Sequence, residues 1–115
     1  MTGTEIRRGD VVIVRLDPAE GHEMTKTRPA VVVQNDVGNE HSSTTIVAPA
    51  TTTHRGYPFE VAVEAAGSPF ERDSSIRCDQ IRVVSIDRRI HAVEGRLDGE
   101  TMAAVDEALE VSLGL

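Results

Sequence analysis

The chain has 115 residues, enough for one domain with a buried core that needs no structural metal or disulfide. Its 12 basic and 19 acidic side chains give a net charge of −7, which excludes a general nucleic-acid binder with a broad basic surface. The single cysteine excludes an internal disulfide, and no apolar run is long enough for a signal peptide or a membrane span. We therefore predict a cytoplasmic protein with one domain over residues 1–115, a loose tail at residues 1–6 and a buried, inert thiol at Cys78.

Two apolar runs in the first third of the chain predict β-strands. The first covers residues 11–16 and is followed by the breaker pair Asp17-Pro18. The second covers residues 31–33, and its continuous β-branched side chains are typical of a strand buried on both faces. The polar segment 17–27 between them is long for a plain hairpin, so it is a candidate binding loop.

The middle of the chain predicts two more strands joined by polar segments. Residues 35–43 are predicted to form a turn and a connection, and residues 44–50 a strand that Pro49 ends or places at an edge. A polar loop at residues 51–58 follows. Residues 59–64 then alternate apolar and polar side chains, which predicts a half-buried antiparallel strand.

The last third predicts strands followed by a helix. Residues 75–84 are expected to form one long strand with a bulge near Val83 and Val84, residues 87–90 a short helical turn, and residues 92–97 a last strand. Asp98 is the expected cap of a helix that runs through Leu113. The predicted sheet-facing side of this helix consists of Met102, Val105, Leu109 and either Ser112 or Leu113.

Five or six mostly antiparallel strands followed by one amphipathic helix predict a mainly-β fold with a C-terminal helix. A small, partly open barrel with the helix packed against it fits this pattern. In such a barrel the start of one strand and the end of its antiparallel neighbour lie at the same rim. Arg28 begins its strand and Thr51 follows the next one, so we expect the two side chains to meet.

An arginine beside a threonine hydroxyl suits the cleavage of a phosphodiester. The guanidinium would stabilise the charge that develops as a ribose 2′-hydroxyl attacks the adjacent phosphorus, and Thr51 would orient the phosphate or the nucleophile. Taken alone, Arg28 could instead form a surface ion pair, and Thr51 a turn bond to the backbone. The four histidines lack the spacing of metal ligands, and no glycine-rich phosphate loop is present, so neither a metal nor a cofactor is predicted.

Many short motifs, in order from about Arg8 to Leu113, resemble those of the MazF/PemK toxins of toxin–antitoxin modules. The clearest are Arg8-Gly-Asp-Val, Thr27-Arg-Pro-Ala-Val-Val-Val, Gln34-Asn-Asp-Val-Gly-Asn, Ile46-Val-Ala-Pro-Ala-Thr, Tyr57-Pro-Phe-Glu-Val, Phe70-Glu-Arg-Asp-Ser and Asp79-Gln-Ile-Arg-Val-Val. The resemblance implies an SH3-like barrel of the type shared with CcdB. It also implies a homodimer whose interface groove binds RNA and is blocked by the C-terminal segment of a MazE-like antitoxin.

The activity implied by the resemblance is that of a sequence-specific, ribosome-independent endoribonuclease. Such an mRNA interferase cleaves single-stranded RNA without a metal and leaves a 2′,3′-cyclic phosphate and a 5′-hydroxyl. The family's catalytic arginine and threonine fall on Arg28 and Thr51. The positions implied to contact RNA are Glu23, Thr52, Ser74, Asp79 and Gln80.

This sequence departs from the family pattern at, and next to, positions that the resemblance implies contact RNA. His22 and Met24 replace the Ser and Gln that often flank the loop glutamate, and Asp79 stands where some members have Glu. Because such side chains read base edges, the recognition sequence does not carry over from relatives.

Two other functions fit a barrel of this size. One is a non-enzymatic poison that binds DNA gyrase, as CcdB does. The other is an enzymatically silent barrel that serves as an antitoxin-bound regulator of its own operon. Arg28 and Thr51 separate the ribonuclease from the gyrase poison, because a protein-binding poison has no need of both residues at the barrel rim.

Overall fold

The computed structural model describes residues 5–115, and a seven-stranded antiparallel sheet dominates this part of the chain. The strands run in the spatial order β4-β5-β3-β2-β1-β7, and β6 pairs with β3. The prediction of a mainly-β fold with a C-terminal helix is confirmed. The elements are β1 (Asp10–Arg15), β2 (Thr27–Val32), α1 (Asp36–His41), β3 (Thr44–Thr51), β4 (Glu60–Val63), β5 (Ser74–Arg77), β6 (Arg82–Ser85), α2 (Ile86–Arg89), β7 (Ile90–Arg96) and α3 (Gly99–Leu113).

Both faces of the central strands are buried, as the β-branched run of β2 predicts. One face carries Val31 and Ala48 and packs against α3, while the other carries Val32 and Val47 in a second core cluster. The second cluster also contains Ile6, which is 5% exposed, so the tail predicted at residues 1–6 is wrong for that residue. Residues 1–4 of the predicted tail lie outside the described part.

The connection predicted at residues 35–43 is wrong in part, because it contains the short helix α1. The Asn35 side chain caps this helix by accepting a hydrogen bond from the Gly38 N–H at 2.8 Å. Asn39 ties the helix to the sheet, since its Oδ1 accepts from the Thr45 hydroxyl at 2.6 Å. Gly38 disfavours a helix locally, and these capping and tertiary hydrogen bonds outweigh that preference.

The single long strand predicted at residues 75–84 is also wrong, because the chain divides there into β5 and β6. The two strands pair with different halves of β3, β5 with residues 50–51 and β6 with residues 44–47. The chain turns between them at residues 78–81, where the Gln80 N–H donates to the Arg77 carbonyl at 3.2 Å. The irregularity therefore lies before the predicted bulge at Val83 and Val84.

Pro49 lies inside β3 and neither ends the strand nor marks an edge. On one side it pairs with Ala30 of β2. On the other side it falls between Val47, where the pairing with β6 ends, and Ala50, where the pairing with β5 begins. Its missing N–H is tolerated because no ladder requires a donor at that position.

The C-terminal helix begins where its sequence predicts. The Asp98 side chain accepts a hydrogen bond from the Thr101 N–H at 2.7 Å, and Val105 and Ala108 are the buried residues of α3. Of the two residues predicted as alternatives at the far end of the sheet-facing side, Ser112 is half-buried and Leu113 is 54% exposed, while Ala108, which the prediction leaves out, is buried. No helix in residues 5–115 is long and apolar enough to cross a membrane.

The thiol of Cys78 is fully buried, as predicted. Burial, with a smaller contribution from the charge of Asp79, raises the pKa of this thiol to about 11. At neutral pH the group is therefore protonated, and a poor nucleophile.

We expect Val105→Ala to lower the free energy of unfolding by about 2 kcal/mol, because it removes two buried methyl groups from the contact between α3 and the sheet. Val37→Ala in α1 is the matched control, since Val37 is 72% exposed and the same substitution in a helix removes no buried contact there. Urea unfolding of both variants measures the difference. Equal losses of stability would contradict the packing of α3 described above.

Candidate active site

Arg28 and Thr51 lie together at the end of the β2–β3 pair. In the ladder Ala30 is opposite Pro49, and continuing this antiparallel register by two residues places Arg28 opposite Thr51. Both side chains are partly exposed. They line a cavity of about 310 Å³, here called the Arg28 cavity, together with residues of β1 and of the segment from Pro69 to Ser74.

The guanidinium of Arg28 is oriented by the loop that precedes its strand. Its Nε donates to the Thr25 carbonyl at 2.7 Å, which leaves both terminal nitrogens available. The ion pairs found within residues 5–115 involve Arg8, Arg77 and Arg96, so none of them neutralises Arg28. The alternative role of Arg28 in a surface ion pair is therefore not supported.

A second cavity of about 220 Å³, here called the Arg55 cavity, shares Arg28 and Thr51 with the first. Met24, Thr53, Arg55 and Arg77 complete its lining. Three arginines thus surround one small space in a protein whose net charge is −7. Of these three, only Arg77 takes part in an ion pair within residues 5–115.

Arg77 is held by Asp79 through two hydrogen bonds. Its Nε and Nη2 donate to the two carboxylate oxygens of Asp79 at 2.8 and 2.7 Å. These bonds raise the pKa of the Arg77 guanidinium. The same guanidinium lies over the ring of Phe59, 6.0 Å from its centroid. Much of the positive charge of Arg77 is therefore already compensated, which leaves Arg28 and Arg55 as the better candidates for an anionic ligand.

Sequence reasoning did not single out Arg55 and Arg77. Arg55 lies in the polar loop that follows Thr51, four residues further on, and Arg77 lies at the end of β5, the strand that pairs with the end of β3. For Arg55 the available signal was its place in the polar loop just after Thr51, whereas Arg77 reaches this rim only through the pairing of β5 with the end of β3.

Glu60 is the buried carboxylate beneath this loop. The alternation at residues 59–64 is typical of a strand whose polar side chains face solvent, but the Glu60 side chain is buried and only 1% exposed. Its Oε1 accepts from the Arg55 and Tyr57 N–H groups at 3.2 and 3.0 Å, and its Oε2 accepts from the Ser75 hydroxyl at 3.4 Å. Burial raises the pKa of Glu60, but the two N–H donors, with smaller effects of Arg77 and His54, outweigh burial and lower it.

Three of the residues predicted to contact RNA line a neighbouring cavity of about 400 Å³, here called the Glu23 cavity. They are Glu23, Asp79 and Gln80, and Met24 lies between this cavity and the Arg55 cavity. Gln80 braces the binding loop, since its Oε1 accepts from the Met24 N–H at 3.2 Å and its Nε2 donates to the His22 carbonyl at 3.4 Å.

The other two predicted RNA contacts lie in the Arg28 cavity. Thr52 is exposed at its rim, and the Ser74 hydroxyl donates to the Arg72 carbonyl at 2.8 Å. The structure therefore brings the predicted residues into two adjoining groups. Arg28, Thr51, Thr52 and Ser74 form one group, and Glu23, Asp79 and Gln80 form the other.

Comparison with known proteins identifies close relatives of this chain. Residues 7–113 match the family model described as "PemK-like, MazF-like toxin of type II toxin-antitoxin system". Endoribonuclease EndoA of Bacillus subtilis (strain 168) is 42% identical over 112 residues, which cover 96% of each protein.

Two solved structures extend the similarity to the fold. The Mycobacterium tuberculosis toxin MazF-mt6 is 28% identical, with a TM-score of 0.76 over 92% of this chain and 97% of that one. A mycobacterial endoribonuclease in complex with its cognate antitoxin is 25% identical, with a TM-score of 0.81 over 96% of each chain.

We expect the free energy of unfolding to fall as the pH is lowered below 4.5, the ordinary pKa of a glutamate. Because the pKa of Glu60 is lower in the folded than in the unfolded state, the unfolded chain binds the proton first, and acid favours unfolding. Glu60→Gln should make the pH dependence shallower in urea unfolding between neutral and acidic pH. Glu64→Gln, at an exposed glutamate just after β4, is the control, and an equal change in both variants would contradict this assignment.

Proposed function

The chain belongs to the PemK-like, MazF-like toxins of type II toxin–antitoxin systems, and from this membership and the cavity geometry we propose that it is an endoribonuclease acting on single-stranded RNA. The observation that carries the proposal is the Arg28 guanidinium, which has two available terminal nitrogens and faces the same cavity as Thr51. The cleavage is sequence-specific and independent of both the ribosome and a metal ion.

In the proposed reaction the ribose 2′-oxygen attacks the adjacent phosphorus. The bond from the 2′-oxygen to phosphorus forms and the bond from phosphorus to the 5′-oxygen breaks, while the 2′-hydroxyl loses its proton and the leaving 5′-oxygen gains one. The products are a 2′,3′-cyclic phosphate and a 5′-hydroxyl. Arg28 stabilises the charge that accumulates on the phosphate oxygens, and the Thr51 hydroxyl orients the phosphate or the nucleophile.

We propose that the Glu23 cavity reads the bases next to the cleaved bond. The carboxylates of Glu23 and Asp79 accept hydrogen bonds from amino groups of bases, while Gln80 both donates and accepts. Thr52 and Ser74, in the Arg28 cavity, contact the strand beside the cleaved phosphate. His22 and Met24, which replace the Ser and Gln often found in the family, line the Glu23 cavity. The RNA sequence that this protein recognises is therefore particular to this chain.

Residues 1–115 form one toxin domain, two copies of which form a homodimer, and a MazE-like antitoxin binds the toxin in the cytoplasm. The antitoxin is supported by the mycobacterial relative whose structure contains its cognate antitoxin. The end of α3 supplies exposed apolar side chains for such contacts, with Val111, Leu113 and Leu115 each more than half exposed.

A poison that acts by binding DNA gyrase is the alternative within the same fold. It needs only a complementary protein surface, and neither the orientation of Arg28 nor its juxtaposition with Thr51 would serve it. Arg28 and Arg55, which take part in no ion pair within residues 5–115, line one cavity, and this favours a bound phosphate over a protein surface.

We expect the purified protein to cleave a long single-stranded RNA in the presence of EDTA, at one short recurring sequence, leaving 5′-hydroxyl ends. Arg28→Ala should lower the cleavage rate by about 100- to 1000-fold, because a donor to the developing charge is lost. Thr51→Ala should also abolish most cleavage. Mapping of the cleaved ends over a range of salt concentrations measures both effects, and Arg88→Ala, at an exposed arginine of α2, is the matched control.

Full activity of Arg28→Ala would contradict the proposed mechanism. No cleavage by the unsubstituted protein at any salt concentration would contradict the proposed function, and inhibition of DNA gyrase by the same preparation would then favour the alternative.

A further inference from the structure

The loop at residues 52–59 has no regular secondary structure. It places Thr52 in the lining of the Arg28 cavity, and Thr53 and Arg55 in the lining of the Arg55 cavity. Its conformation depends on a few specific hydrogen bonds. The Arg55 and Tyr57 N–H groups both donate to Glu60, and His54 Nδ1 lies 2.9 Å from the Ser75 hydroxyl, which itself donates to Glu60. The hydrogen bonds of Arg55, Tyr57 and His54 thus converge on one buried carboxylate, directly or through Ser75, while the end of the loop is held by backbone bonds at the Tyr57 and Phe59 carbonyls.

A single oxygen of Glu60 receives both backbone donors. Gly56, between Arg55 and Tyr57, has a φ of +79°, and this left-handed residue turns the two flanking N–H groups toward the same point. Backbone N–H groups that converge in a turn of this kind form a concave site for an anion. Here the chain fills that site with its own carboxylate.

This arrangement determines where Arg55 is presented. The Arg55 side chain lines the cavity that Arg28 and Thr51 also line, and no ion pair within residues 5–115 engages it. If the Arg55 N–H lost its acceptor, the loop would no longer hold that guanidinium beside Arg28. The oxygen that determines this position is Oε1, whereas Oε2 faces Ser75 and, at 3.9 Å, the Nε of Arg77.

We propose that Glu60 is a positioning residue that holds Arg55 in place to bind a second RNA phosphate, next to the one on Arg28. This inference rests on the proposed function, because it takes single-stranded RNA as the ligand. Glu60 acts through the position of one acceptor oxygen and not through its negative charge. A glutamine has the same length and keeps an acceptor at Oε1, whereas an aspartate keeps the charge but is one methylene shorter.

The test is the salt dependence of binding to a single strand with 2′-O-methyl riboses throughout, which cannot undergo attack by a 2′-hydroxyl. For single strands, the slope of log affinity against log salt concentration changes by about 0.7 for each phosphate contact. We expect Arg55→Ala to reduce the magnitude of this slope by about 0.7, and Glu60→Asp to reduce it by a similar amount. Glu60→Gln should retain the slope of the unsubstituted protein, and Arg88→Ala is the matched control.

The double variant Glu60→Asp/Arg55→Ala should show no reduction beyond that of Arg55→Ala, because both changes remove the same contact. A full slope in Glu60→Asp, a reduced slope in Glu60→Gln, or additive losses in the double variant would each overturn the proposal. If Glu60→Asp does not fold, Gly56→Ala tests the same geometry, since its methyl would meet no atom within 4 Å and only the left-handed backbone is disfavoured. An unchanged slope in that variant would also overturn the proposal.

Cleavage of unmodified RNA by the unsubstituted protein is measured in parallel, so that the two proposals fail separately. Absence of cleavage overturns the proposed ribonuclease, while the binding slopes still decide the role of Glu60. If the protein cleaves RNA but Glu60→Asp has the same salt slope as the unsubstituted protein, only the proposed role of Glu60 is overturned.

Discussion

The pairing of β3 with three other strands is the constraint on which the rest of the structure depends. β2 lies along one side of β3, while β6 and then β5 share the other side, with Pro49 at the point where the partner changes. This change of partner along β3 brings the start of β2, the end of β3 and the strand β5 to one rim. The arginine and hydroxyl side chains of the candidate site lie at this rim. A shift of β3 by one residue would turn Thr51 to the opposite face and separate it from Arg28.

The sequence predicts the parts of the fold that follow from local pattern. The apolar runs indicate β1, β2 and β3, Asp98 marks the start of α3, and strand direction alone brings Arg28 and Thr51 to the same rim. The parts it does not predict depend on partners distant in sequence. The division of residues 75–84 into two strands follows from which half of β3 each one pairs with, and the short helix α1 is stabilised by contacts with the sheet.

The burial of Glu60 shows the same limit at the level of one side chain. Alternation in β4 places this carboxylate toward solvent, and only the loop that folds over it, with the donors of Arg55 and Tyr57, makes burial favourable. The contribution of Arg55 to the cavity was missed for the same reason. Strand direction and the family resemblance both indicate Arg28 and Thr51, the pair at the centre of the site, but neither indicates the residues that hold this pair in place.

Charge is distributed unevenly over the molecule. The C-terminal segment from Gly99 to Leu115 carries four acidic residues and no basic one, so the rest of the chain has a net charge of only −3. Three arginines line the Arg55 cavity, and an acid-rich protein can therefore still present a cationic site to the proposed RNA ligand. A few cations beside the bound phosphates are sufficient for a short strand, and a basic surface elsewhere is not required.

The hydrogen bond from Arg28 to the Thr25 carbonyl has a consequence for how such a site is controlled. Thr25 belongs to the same loop as Glu23, so the segment proposed to read bases also orients the guanidinium proposed to hold the phosphate. Sequence discrimination and turnover are then thermodynamically linked. A strand with the wrong bases would leave the loop displaced and the arginine misaligned, and a ligand that displaces this loop alone would silence the enzyme without entering its cavity.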